Sequence, residues 1–224
     1  MACVFRADGF VVIHEDTPGA ESFVPRGAAL PVLASAVQQC RGCPLHRKAT
    51  QAVFGAGRPQ PSMVLLGEQP GEQEDREGLP FVGPSGRVLR ELLIAADIDV
   101  EDVFLTNVVK HVYVESHGRR RVHRRPHGAM VAACRPWLEE ELARTKPPVL
   151  VCLGAIATRA ILGKDVRVTQ ASGATFSTTI APVVIATLHP SALLRARTPR
   201  ALADARSRML DDLARARSHA ARGR

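Results

Sequence analysis

The densest group of residues able to do chemistry lies between Ser62 and Gly86, in SMVLLGEQPGEQEDREGLPFVGPSG. Its apolar start, Ser62–Gly67, reads as a short strand that the following glycine and proline break into a loop. Five acids fall between Glu68 and Glu77, then come Pro80, Phe81 and Gly83, and a helix opens at Pro84 and Ser85. The loop has neither the lysine and Ser/Thr of a P-loop nor the glycine spacing of a dinucleotide fingerprint, and its acids would repel phosphates. An exposed Phe81 beside carboxylates suits a flat polar ring instead. Farther along stand Asn107 in VFLTNVV, His123 in an arginine-rich run and His189 in HPSALLR. A fixed amide reads the donors and acceptors of such a ring, and an imidazole can stabilise a developing anion or attack an electrophilic carbon.

The elements that must position these side chains follow from hydrophobic patterning. Helical spacing marks Gly86–Ala96 through Val88, Leu89, Leu92, Leu93 and Ala96, and Gly128–Arg144 through Met130, Cys134, Trp137, Leu138 and Leu142. Further helices are expected over Ala28–Gln39, Ala155–Leu162 and about Arg200–Arg217. Strands are expected at Ser62–Gly67, Val103–Val109, Pro148–Leu153 and Pro182–Leu188, with a possible edge hairpin in residues 163–181. Residues 110–127 read as too polar and charged to be core. Four strand and helix alternations predict an α/β fold, a three-layer αβα sandwich around a four-stranded parallel sheet. Glu68, Gln69, Asn107 and His189 then end strands and meet at the sheet's carboxyl edge, where such folds bind ligands.

At 224 residues the chain suits one domain, with an arm over residues 1–26 and a tail over 218–224 flanking the body at 27–217. It lacks an apolar run of the ~20 residues a membrane span needs, and MACVFRADGF is unlike a signal peptide, so a cytoplasmic protein with no membrane partner is expected. The net charge of +8 is local. Arg119, Arg120, Arg121, Arg124 and Arg125 form one cluster, and Arg195–Arg224 holds nine arginines against three aspartates, so the remainder is acidic. Such local basicity fits surfaces that track a nucleic-acid backbone, or else solvated charge and a disordered tail. Five cysteines, with Cys40 and Cys43 as CxxC, point to a metal or redox centre before a disulfide framework. Cys152 reads as a small apolar residue in a buried strand, and Cys3 lies in the arm.

GEQPGEQED followed by GLPFVGPSGR resembles motif A of the iron–sulfur uracil-DNA glycosylases, and HPSALLR resembles their motif B. Gln69, and the run Arg119-Arg120-Arg121-Val122-His123, resemble the covalent X type of that family (UdgX), whose loop reads KRRIH where this chain begins with arginine. The resemblance implies excision of uracil from DNA, single-stranded by preference, by a monomer. Phe81 would stack on the flipped base, Asn107 would read it with Gln69 alongside, and His189 would stabilise the leaving uracil at O2. His123 would attack the sugar and stay attached, with Glu68 orienting it and taking its proton. Arg119, Arg120, Arg121 and Arg124 would bring phosphates to the loop, Ser191 and Arg195 would hold flanking phosphates, and Leu193 would fill the gap in the base stack.

The same family supplies a cysteine after the second strand and one in the next helix. Here the second is Cys134, but the first position reads Asn107-Val108-Val109-Lys110-His111, so Cys40, Cys43, His111 and Cys134 become the ligand set. That set suits structural zinc as well as a [4Fe–4S] cluster on chemistry alone, and the resemblance favours iron. Two other functions fit the residues: a multiple-turnover glycosylase of the family 4 kind using water, and a non-catalytic, metal-stapled DNA-binding module.

Overall fold

The computed structural model describes residues 17–117 and 120–222. Cys3 and Arg119 lie outside the described residues. In chain order the elements are α1 (Leu30–Ala36), β1 (Ala56–Gly57), β2 (Met63–Gly67), α2 (Glu72–Glu77), α3 (Pro84–Ala95) and β3 (Val103–Asn107). They continue with β4 (Val114–His117), β5 (Arg120–His123), α4 (Gly128–Thr145), β6 (Val149–Leu153), α5 (Ala155–Leu162) and α6 (Val168–Ala171). The chain closes with β7 (Thr175–Phe176), β8 (Val183–Thr187), α7 (Ser191–Leu194) and α8 (Pro199–Arg222).

The sheet has the order β1-β3-β2-β6-β8-β7. The four middle strands run parallel, as the alternating pattern predicts, and β1 and β7 add short antiparallel edges. Each parallel strand is buried on both faces. Val64, Leu66, Leu150, Cys152, Val184 and Ala186 face one core with Trp137, Met130 and Ala157 of α4 and α5. Met63, Leu65, Val149, Val151, Leu153 and Ile185 face the other, with Leu89 and Leu93 of α3 and Met209 and Leu213 of α8. This accounts for near-continuous apolar strands such as VLVCL, and for Cys152 as a wholly buried apolar residue.

Three expectations are corrected. The supposed loop after β2 holds α2, whose Glu74 and Asp75 are buried and internally bonded rather than offered to a ligand. Residues 110–127 are not all surface, because Lys110, His111, Val112 and Val114 are buried and β4 pairs with β5 as an antiparallel hairpin. The last helix runs on through Ser218 to Arg222 with Ala220 buried, so the helix does not stop where the tail was expected to begin. At the other end, part of the expected arm packs on the body: the Gly19 N–H donates to Gly42 O at 2.9 Å, and the Ala20 N–H to Ala133 O at 2.9 Å.

Candidate active site

Parallel strands end together, and their register sets the site. Gly67 of β2 stands beside Asn107 of β3, and Leu153 of β6 beside Thr187 of β8. Glu68, Gly154 and His189, just past these ends, line one cleft of about 1380 Å³ with Gln69, Phe81, Asn107, His123 and Arg195. The chain leaves β2, β3 and β6 at this edge and later enters α3, α4 and α5, whose amino-terminal residues (Pro84, Gly128, Ala155) also line the cleft. Three helix dipoles thus present positive ends where negative charge would arrive or develop.

The floor is tight at Gly67. A Cβ there would stand 2.3 Å from Asn107 Oδ1 and 2.6 Å from the Phe81 ring, so only glycine lets both approach the strand end. Phe81 is 5% exposed, not the exposed aromatic expected, because its ring forms the cleft floor against the core of α3 and β2. Its backbone is left-handed, with φ 56, a conformation costing about 1–3 kcal/mol in a residue of this kind. Glu74 helps to hold it, with Oε1 accepting the Gly83 N–H at 2.7 Å.

His189 is fixed in one tautomer. Its Nδ1 accepts the Ser191 N–H at 3.2 Å and lies 2.8 Å from Ser191 Oγ, which in turn accepts Arg195 Nη1 at 2.8 Å. Burial, with the charges of Arg195 and Arg125, lowers its pKa from 6.5 to about 4. The ring is therefore neutral near pH 7, carries its proton on Nε2, and offers that N–H to whatever enters the cleft. Ser191 and Arg195, expected on phosphates, form this hydrogen-bonded chain to the imidazole. Leu193, expected to fill the gap in the base stack, is 8% exposed in the core with Met209 and Leu213, whereas its neighbour Leu194 is 52% exposed.

Gln69, expected beside the base, lines the cleft and also bonds the backbone of the hairpin. Its Nε2 donates to Arg124 O at 2.6 Å and its Oε1 accepts the Tyr113 N–H at 3.0 Å, so each end of the amide bonds a backbone group of the hairpin. Those bonds staple the segments before β4 and after β5 at the root of the hairpin, and His123 is the last residue of β5, exposed at the cleft. Arg121 adds a second tie, donating from Nη2 to Lys48 O at 2.8 Å and to the buried Asp75 at 3.3 Å. Arg124 donates from Nε to Glu115 at 2.8 Å. Two of the arginines expected on phosphates thus hold the hairpin, Arg120 is placed by its backbone in β5, and Arg125 lines the cleft. Burial raises the pKa of Glu68 while Arg125 and Arg195 oppose the shift. Among the described residues no hydrogen bond joins Glu68 to His123, although both line the cleft.

Cys40, Cys43, His111 and Cys134 are all buried, and the three thiols are free of disulfides. Trp137 Nε1–H donates to Cys40 Sγ at 3.2 Å and the Lys110 N–H to Cys134 Sγ at 3.3 Å. Cys134 feels both Cys43 and Cys40, and burial pushes its thiol up to about 12 and that of Cys43 to about 11. Burial lowers His111 to about 4, assisted by His46 and Arg41, which keeps the ring in the neutral, metal-binding form. Three soft sulfurs and one imidazole fit an iron–sulfur centre in donor chemistry. Among the described residues no three His, Cys, Asp or Glu side chains are arranged to hold a single ion. No described helix is long and apolar enough to cross a membrane.

The chain has relatives among known proteins. It is 37% identical over 194 residues to the type-4 uracil-DNA glycosylase of Thermotoga maritima, covering 86% of the chain and 95% of that protein. It is 34% identical over 166 residues to the type-4 uracil-DNA glycosylase of Pyrobaculum aerophilum, covering 71% and 81% respectively. Residues 54–214, which include the whole cleft, match the Uracil DNA glycosylase superfamily, and the chain belongs to that superfamily.

Proposed function

We propose that the chain excises uracil from DNA as a base-excision repair glycosylase, single-stranded DNA being the preferred substrate, and that His123 captures the resulting sugar. The observation supporting excision is the meeting of the Phe81 ring, the Asn107 amide and the His189 Nε2–H in one cleft. A uracil flipped onto Phe81 presents N3–H and O4 to Asn107, a pattern that cytosine mismatches. When the C1′–N1 bond breaks, its electron pair leaves with uracil and spreads onto O2, where the neutral His189 donates a hydrogen bond. The sugar is left as an electron-poor, oxocarbenium-like centre.

The unprotonated ring nitrogen of His123 then forms a bond to C1′, and the proton on its other nitrogen passes to Glu68. Desolvation makes Glu68 a better proton acceptor than an ordinary carboxylate. The alkylated imidazole, once neutral, is a poor leaving group, so the adduct persists. Support for this step comes from the Gln69 staple, which holds His123 at the cleft through backbone atoms on both sides of the hairpin. Cys40, Cys43, His111 and Cys134 would hold a [4Fe–4S] cluster, whose contribution is structural. Those residues join the segment after α1, the turn after β3 and α4.

The names of the relatives favour a second reading, a multiple-turnover type-4 enzyme in which water reaches C1′. A time course of uracil release at substrate excess separates the two. Capture by His123 predicts release that stops at one equivalent per molecule; continued release would select the second reading, and no release would exclude both.

A further inference from the structure

Lys110 is wholly buried and no step of the proposed chemistry uses it. Its ammonium group meets three acceptors: Asn107 O at 2.7 Å, Thr106 Oγ1 at 2.8 Å and Glu141 Oε2 at 2.5 Å. Glu141, also wholly buried, accepts the Thr106 hydroxyl at 2.8 Å and the Gly55 N–H at 2.8 Å, so both charges are paired and fully hydrogen-bonded. The geometry of the turn makes this more than a structural staple. Residues 106–110 leave the end of β3, and the lysine folds back to bind the peptide carbonyl of Asn107, whose amide stands at the cleft floor 2.3 Å from where a Gly67 Cβ would be. The amide approaches Gly67 more closely than any other residue there would allow, and the peptide that carries it is held from behind by Lys110.

We propose that Lys110 is a positioning residue for base reading: its ammonium fixes the Asn107 peptide and thereby aims the amide at the base. Glu141 supplies the counter-charge that makes a buried lysine tolerable there. The proposal rests on the reading of Asn107 as the amide that contacts the base. It ties specificity to a residue that touches neither base nor sugar. A buried ion pair is costly to desolvate and is often replaceable by apolar side chains without loss of stability, so stability alone gives a weak account of it.

The test uses the full chain and three variants, with thermal melting, affinity for a uracil-free strand, single-turnover excision rate and inhibition by free uracil measured for each. Glu141→Gln keeps the Lys110–Asn107 bond; it should melt lower but, below its melting point, keep the excision rate and the uracil inhibition. Lys110→Met with Glu141→Gln removes the bond without stranding a charge. It should bind the uracil-free strand normally, lose excision roughly 10- to 100-fold and be inhibited by uracil at least several-fold more weakly, as a misaimed contact requires. If that pair does not fold, Lys110→Met with Glu141→Leu presents an apolar alternative for the same measurements. A folded double variant with unchanged rate and uracil inhibition would overturn the proposal, as would losses that merely follow melting temperature across all variants. Asn107→Ala is the control: if it retains uracil inhibition, the role given to Asn107 fails independently of Lys110.

Discussion

Replacing Gln69 by alanine should separate capture from excision. The side chain makes two hydrogen bonds to backbone atoms of the hairpin, at 2.6 and 3.0 Å, on the partners Arg124 and Tyr113. Each is worth about 1 kcal/mol net, so their removal shifts the hairpin away from the cleft by about 2 kcal/mol. That is a factor of roughly 30 in the fraction of molecules with His123 in place. Arg121, which ties the hairpin to Lys48 and Asp75, remains, so roughly 30-fold is the upper bound. Phe81, Asn107 and His189 are held by other elements, so excision should change by less than about threefold, within the reach of minor repacking. Single-turnover reactions quenched in detergent would report adduct by gel shift, and parallel samples heated in alkali would report free abasic sites. The expected outcome is slower adduct formation with the balance appearing as alkali-labile strand. Equal losses of both activities, or no change in either, would refute the role given to Gln69.

Other expectations follow from single contacts. His123→Ser should abolish the adduct while water completes excision, seen as an unshifted strand that breaks in alkali; a persisting adduct would move the nucleophile elsewhere. Because burial lowers His189 from 6.5 to about 4, the unfolded chain binds a proton that the native chain refuses between those values, so stability should fall as pH drops from 6.5 to 4. The effect is bounded by roughly 3 kcal/mol, and urea melts of His189→Gln should show a smaller loss over that interval; identical losses would contradict it. The same substitution should cost excision about 10²- to 10³-fold, measured in single turnover. Anaerobic preparations should be brown and contain iron, and Cys134→Ser should lose colour together with thermal stability; a colourless, zinc-loaded protein would contradict the iron assignment.

Much of this was legible in the sequence because four apolar runs end abruptly in polar or glycine-rich segments. Met63–Gly67 and Val149–Leu153 show that pattern plainly, and the carboxyl-edge positions of Glu68, Asn107 and His189 follow from it. Elements with weak hydrophobic contrast were hidden. The strands of the β4–β5 hairpin, VESH and RRVH, carry mostly polar residues, and α2 is a single acidic stretch ending at the left-handed Gly78. Long-range partners were equally invisible: Lys110 reads as the start of a polar loop until Glu141, thirty-one residues on, neutralises it in the core. Gln69 drew attention by its type, yet only its contacts 44 and 55 residues away show that it bonds both ends of the hairpin. At Leu193 and Leu194 adjacent identical residues in one short helix divide between core and surface, a distinction of phase that the pair alone does not carry.

We propose that this glycosylase-family cleft ends its reaction bonded to DNA. The most direct measurement mixes the protein with a labelled single strand containing one uracil, boils the mixture in detergent and separates it on a denaturing gel. A shifted band that requires the uracil, and disappears with His123→Ser, is the predicted result. A wild-type strand that remains unshifted yet breaks at an abasic site in alkali would contradict it.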